Sequence, residues 1–153
     1  MKRNTSIMRK MKLKDLAEIG SGYPFRKKII TNPKGEIYVV QMKDVNESGA
    51  VEWSELNRIA TTELDPINGI DIKRNKYFLD PGDILFKAKG GKNNAAMLTT
   101  DMGPVVASQQ FLIIKVKSDI VEPIYITWFF NYLQDTGYFQ RENEGTYIPF
   151  ISK

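Results

Sequence analysis

The chain has 153 residues, 42% of them hydrophobic and 26% charged, a net charge of +4, and neither cysteine nor histidine. Such a composition marks a globular chain with enough residues for one domain and a real core. The missing residue types exclude disulfides, Cys/His zinc sites and any Ser-His-Asp or Cys-His arrangement, leaving acid–base chemistry to carboxylates, lysine or tyrosine.

The charge is uneven. Residues 1–43 carry 11 Lys/Arg against 3 Asp/Glu, a balance of +8, and residues 44–153 carry 11 against 15, a balance of −4. Within the acidic part, Lys73 to Lys92 forms a basic island of six Lys/Arg against two Asp. Basic segments that meet in space make a footprint for nucleic acid, whereas dispersed ones form only a solvated surface. No apolar run approaches the about 20 residues of a membrane span, and Met1 to Lys10 lacks the apolar stretch of a secretory signal. A cytoplasmic protein is expected.

Residues 1–12 read as a flexible basic leader and 13–153 as a single domain. Leu13 to Ile19 fits one helical turn passing into a strand. Gly20-Ser21-Gly22-Tyr23-Pro24-Phe25 is a loop followed at once by Arg26-Lys27-Lys28. It reads equally as a phosphate contact and as a structural turn beside solvated charge. It is not a dinucleotide fingerprint, lacking the third glycine and the following helix. Asn32-Pro33-Lys34-Gly35 is a turn, and Glu36 to Met42, β-branched and aromatic, is a strand. Val51-Glu52-Trp53 reads as a short strand. Ser54 to Leu64 reads as a helix, with Ser54 as its cap and Leu56, Ile59, Ala60 and Leu64 near one face. Asp65-Pro66 ends it, and a weak strand Ile70–Lys73 follows between turns.

Leu79 to Gln110 is the central stretch. Pro81-Gly82 makes a turn, Asp83 to Lys87 a buried strand, and Ala95 to Leu98 a return strand. Between them lies a tip rich in Lys and Asn, side chains suited to phosphates and base edges. Gln110 to Val116 is a long strand. Glu122-Pro123 starts a helix, Ile124 to Gln134, whose Trp128, Phe129, Phe130, Tyr132 and Leu133 are expected in the core. Asp135 to Tyr147 is polar and broken by glycine. Short strands with scattered helices predict an α+β fold: a curved, mixed or antiparallel sheet with a packed aromatic-rich helix.

The order of these pieces resembles the target recognition domain of type I restriction–modification specificity subunits. The segments that carry the resemblance are Leu13 to Phe25, Val39 to Val45, Leu79 to Phe86 with Gly90, Pro104 to Phe111, Pro123 to Trp128, Gly145-Thr146 and Ile151-Ser152. Their co-linear order is the signal, since each segment alone is weak. The resemblance implies sequence-specific reading of double-stranded DNA, with no cofactor and no catalytic centre in the chain. Methylation and cleavage would belong to an adenine methyltransferase subunit and a restriction subunit as partners. In that family two such domains are joined by spacer helices. One domain without a spacer coiled coil implies a half-subunit that self-associates, an excised domain or a truncated product.

The family's base-reading positions vary, so the resemblance assigns none individually. From residue chemistry, Lys87, Lys89, Lys92, Asn93 and Asn94 form the expected first contact loop, with Gln109 and Gln110 close by. Ser21, Tyr23, Lys43 and Tyr147 form a second set. Three rival readings remain. A nuclease is one: Asp65, Asp71 and Lys73 resemble the acidic-pair-plus-lysine metal site of restriction nucleases, and Asp83 with Lys87 is another possible acid–base pair. Methyl transfer lacks both its Asn/Asp-Pro-Pro-aromatic loop and its glycine-rich loop. A remnant protein-interaction domain would keep the fold and touch no DNA.

Overall fold

The computed structural model describes residues 10–64 and 76–142. Its elements are α1 (Leu13–Leu16), β1 (Ala17–Ser21), β2 (Ile37–Val40), β3 (Asn57–Ile59), β4 (Ile84–Lys87), β5 (Ala95–Met97), β6 (Val105–Ala107), β7 (Phe111–Val116), α2 (Pro123–Asp135) and α3 (Tyr138–Glu142). The fold is α+β. One sheet runs β1-β7-β4-β5 and is antiparallel throughout. The other runs β3-β2-β6, with β2 antiparallel to β3 and parallel to β6.

Side-chain alternation along the strands sorts the apolar residues into three cores. Leu85, Phe111 and Ile113 of the first sheet meet Val40, Val105 and Ala107 of the second in a shared core. Ile84, Phe86 and Ile114 face the other way, onto Ile126 and Phe139 of the helices. Ile37, Val39, Ile59 and Val106 face away from the shared core and pack with Tyr23, Leu64 and Phe78. The first sheet is therefore covered on both faces, which explains its near-continuous apolar strands. Asp80 to Asp83 forms the expected turn: Asp83 N donates to Asp80 O at 3.0 Å, and Gly82 takes φ +93°.

Helix α2 starts on Pro123 and covers the free edge of β5. Asn131 bonds the backbone of Ala95 twice, accepting from its N–H at 2.8 Å and donating to its carbonyl at 3.0 Å. A side-chain amide thus takes the place of a neighbouring strand. Among the described residues no helix is long and apolar enough to cross a membrane.

Three expectations change. The stretch Ser54 to Leu64 is no helix: single 3₁₀ turns at Trp53–Glu55 and Thr61–Glu63 flank β3, whose pairing with β2 satisfies its backbone. Val51 forms only an isolated bridge to Val45, and Trp53 opens a 3₁₀ turn. The aromatic row of α2 is largely outside the core. Tyr125, Trp128, Phe129 and Tyr132 share one exposed face, Trp128 being 57% exposed, while Ile126, Phe130 and Leu133 pack inward. Strand β6 had no sequence expectation. The weak strand Ile70–Lys73 lies outside the described residues.

Candidate functional site

The two sheets join where the chain passes from β6 into β7. Ser108 to Phe111 closes a turn, with Phe111 N donating to Ser108 O at 3.1 Å. The loop after β1 lies directly on that turn: Gly22 N donates to Phe111 O at 3.0 Å and Tyr23 N to Ala107 O at 2.7 Å. Ala88 N donates to Gln110 O at 3.2 Å, which draws the β4–β5 loop alongside. Asn32 N donates to Arg58 O at 2.7 Å, which draws the loop after Phe25 along β3. These links leave a cleft of about 400 Å³ at the junction.

Lys27, Lys28 and Lys89 line this cleft together with Gln109 and Gln110. Thus cations from the basic first part of the chain and from the central basic island meet at one place, and among the described residues no acidic side chain lines it. Tyr23 and Phe25 form the aromatic wall, their ring centroids 4.8 Å apart and edge-on. Gln41 and Asn57, at the ends of β2 and β3, supply a second pair of amides. Ser108, 8% exposed, also lines the cleft, and its hydroxyl has no hydrogen-bond partner among the described residues.

Of the expected contact residues, Lys89, Gln109, Gln110 and Tyr23 come together here. Asn93 and Asn94 do not, and for them the expectation of a solvent-facing tip is corrected. Both are buried: Asn93 Nδ2 donates to Lys87 O at 2.9 Å and Asn94 Nδ2 to Asn46 O at 2.9 Å. Their amides close the loop instead of presenting it. Lys87 is half-buried, and its Nζ donates to Val45 O at 2.7 Å. Burial, then the neighbouring Lys92, holds its amine below the ordinary lysine range, with Glu47 acting the other way. Lys92 is exposed and pairs with Glu47, whose carboxyl this contact pulls below its usual range. Lys43 is exposed, bonded to the buried Asp44 at 2.9 Å, and outside the cleft lining. Ser21 lines a different cleft, of about 320 Å³, beside Lys76 and Tyr77. Tyr147 lies outside the described residues.

The acid–base pair Asp83–Lys87 is not formed. Asp83 accepts from Asp80 N at 2.9 Å and ion-pairs with Lys115. Asp65, Asp71 and Lys73 lie outside the described residues. Gln41, Asn57 and Ser108 carried no sequence signal as site residues: Asn57 sat inside an expected helix, and Gln41 read only as part of a strand.

The family model described as type I restriction modification DNA specificity domain matches residues 6–153. No curated protein matches the chain. The crystal structure of a type I restriction-modification system S subunit from M. genitalium is similar in fold, with TM-score 0.57 at 13% identity, over 99% of this chain and 33% of that one. The chain thus spans about one third of the length of that subunit. Matched over nearly its whole length, the chain belongs to the type I restriction modification DNA specificity domain family.

Proposed function

We propose that this chain recognises a specific double-stranded DNA sequence and serves as a specificity element of a type I restriction–modification system. It directs methyltransferase and restriction subunits in the cytoplasm and carries out no reaction of its own. One observation supports this reading above the others: Lys27 and Lys28 border one cleft with Lys89, far from them in sequence, and with the amides of Gln109 and Gln110. Cations neutralise phosphates and fix register, and amides read base edges, so the two classes belong side by side on a duplex-binding surface. Family membership supports the same conclusion.

Binding to a random-sequence duplex, measured across salt, tests the electrostatic half. The triple variant Lys27→Ala, Lys28→Ala, Lys89→Ala should weaken binding on all sequences and reduce the salt slope by about 2–3 units. An unchanged slope would remove the cleft from the DNA contact. Selection from a random duplex pool, with and without a methyltransferase partner, tests the sequence-reading half. A single enriched motif is expected.

A further inference from the structure

The cleft contains an amide pair that the duplex-binding reading leaves without a role. Val39 of β2 lies opposite Asn57 of β3, so Gln41, two residues further on, is a diagonal neighbour of Asn57 on the same face. Asn57 Nδ2 donates to Gln41 Oε1 at 2.9 Å. Gln41 is itself held: its backbone N–H donates at 2.8 Å to Oδ2 of Asp44, a carboxylate only 1% exposed. Both amides line the cleft with Ser108 and the lysines. Both are half-buried at the open cleft, and the bond between them ties the end of β2 to the start of β3.

The bond to Gln41 uses one N–H of Asn57. Its Oδ1 and second N–H have no other hydrogen-bond partner among the described residues. One acceptor and one donor on a single planar group, held in place by a neighbour, are what a bidentate contact to adenine requires, through N6–H and N7. Guanine offers two acceptors on that edge, N7 and O6, and would set O6 against Oδ1. Gln41 fixes the amide plane, which lowers the ordering cost of the contact.

We infer that Asn57, positioned by Gln41, reads the major-groove edge of one adenine in the target duplex. The inference rests on the duplex-binding reading above and adds a base identity and two residues to it.

The test is selection from a random duplex pool with the full chain and three variants, each checked for folding by its melting temperature. Wild-type chain should enrich a motif with adenine at a position where Asn57→Ala loses about 10- to 100-fold in preference, other positions being kept. Gln41→Ala should relax the same position. Asn57→Asp, which offers only acceptors, should shift that position toward cytosine, whose N4 donates. The salt slope of Asn57→Ala should equal that of the wild type. A wild-type motif retained at every position by Asn57→Ala, or relaxed at a G·C pair, would overturn the inference while leaving duplex recognition standing. Absence of any motif or salt-dependent binding in the wild type would overturn duplex recognition, and the inference with it. Should Asn57→Ala melt early, Gln41→Ala and Asn57→Asp read the same position.

Discussion

Gly22 rests against the carbonyl of Ser108 so closely that a β-carbon at position 22 would stand 2.0 Å from that oxygen. The two residues belong to the two backbone segments that cross where the sheets join, and neither can retreat. Gly22 N is bonded to Phe111 O at 3.0 Å, and Ser108 N to Val40 O at 3.0 Å. The close approach seats Tyr23 and the following lysines over the cleft. Gly22→Ala should therefore destabilise the protein by about 1–3 kcal/mol, the usual cost of overpacking, and weaken duplex binding as the loop lifts. Urea unfolding and a duplex titration check the two effects.

Asn93 is a second position where removal should be felt in stability first. It is fully buried, its Nδ2 bonds Lys87 O, and its backbone N–H bonds the side chain of Gln134 on α2. Asn93→Ala leaves the Lys87 carbonyl without this donor and should cost about 1–3 kcal/mol. The salt slope of DNA binding should stay that of the wild type, since the amide does not reach solvent.

Two aromatic residues on neighbouring elements should behave in opposite ways. Phe86 is buried against Phe130 and Phe139, with centroids 5.3 and 4.9 Å away, so Phe86→Ala should cost about 3–5 kcal/mol. Trp128 stacks on Tyr132 at 5.7 Å on the exposed face of α2, so Trp128→Ala should shift stability by roughly 0.5 kcal/mol. Thermal melts of the two variants separate core from surface.

Lys87 makes stability depend on alkaline pH. Its amine is lowered from 10.5 in the folded protein, first by burial and next by Lys92. Between the folded value and 10.5 the unfolded chain binds more protons than the folded one, so stability rises with pH across that window. Lysine 87 thus opposes folding at neutral pH, and the opposition fades as pH climbs. Lys87→Met lacks this gain. The stability of the variant relative to wild type should fall as pH rises toward 10.5, as read from paired melts at each pH.

Local chemistry was enough to locate much of the framework. Proline and glycine at 81 and 82 specify the turn, Pro123 the start of α2, β-branched runs the strands β2 and β7, and a short apolar run after the turn the strand β4. These depend on φ preferences and short-range sterics that each residue carries with it. Ser54 to Leu64 shows where that information ends. Leu56, Ile59 and Leu64 have helical spacing, yet Leu56 packs into the core between the sheets and the other two into the core on the far side of β2. Pairing with β2 outweighed a weak local preference. The aromatic helix makes the same point: α2 has two apolar faces, and periodicity cannot say which one meets the sheet. Asn131 and Gln134, bonding the edge of β5 and the loop before it, decide the orientation.

The site depended on tertiary structure still more. From sequence alone came the types of residue suited to DNA, the unequal charge and the co-linear segments that resemble the family. Which lysines share a face, which asparagines close a loop, and which amides stand side by side were decided only when the loop after β1, the ends of β2 and β3, and the β4–β5 loop met at the β6–β7 turn. The physical reason is distance. Composition and order are written along the chain, but this binding surface forms among groups as far apart as Tyr23 and Gln110, and only backbone pairing between strands brings such groups within reach of one ligand.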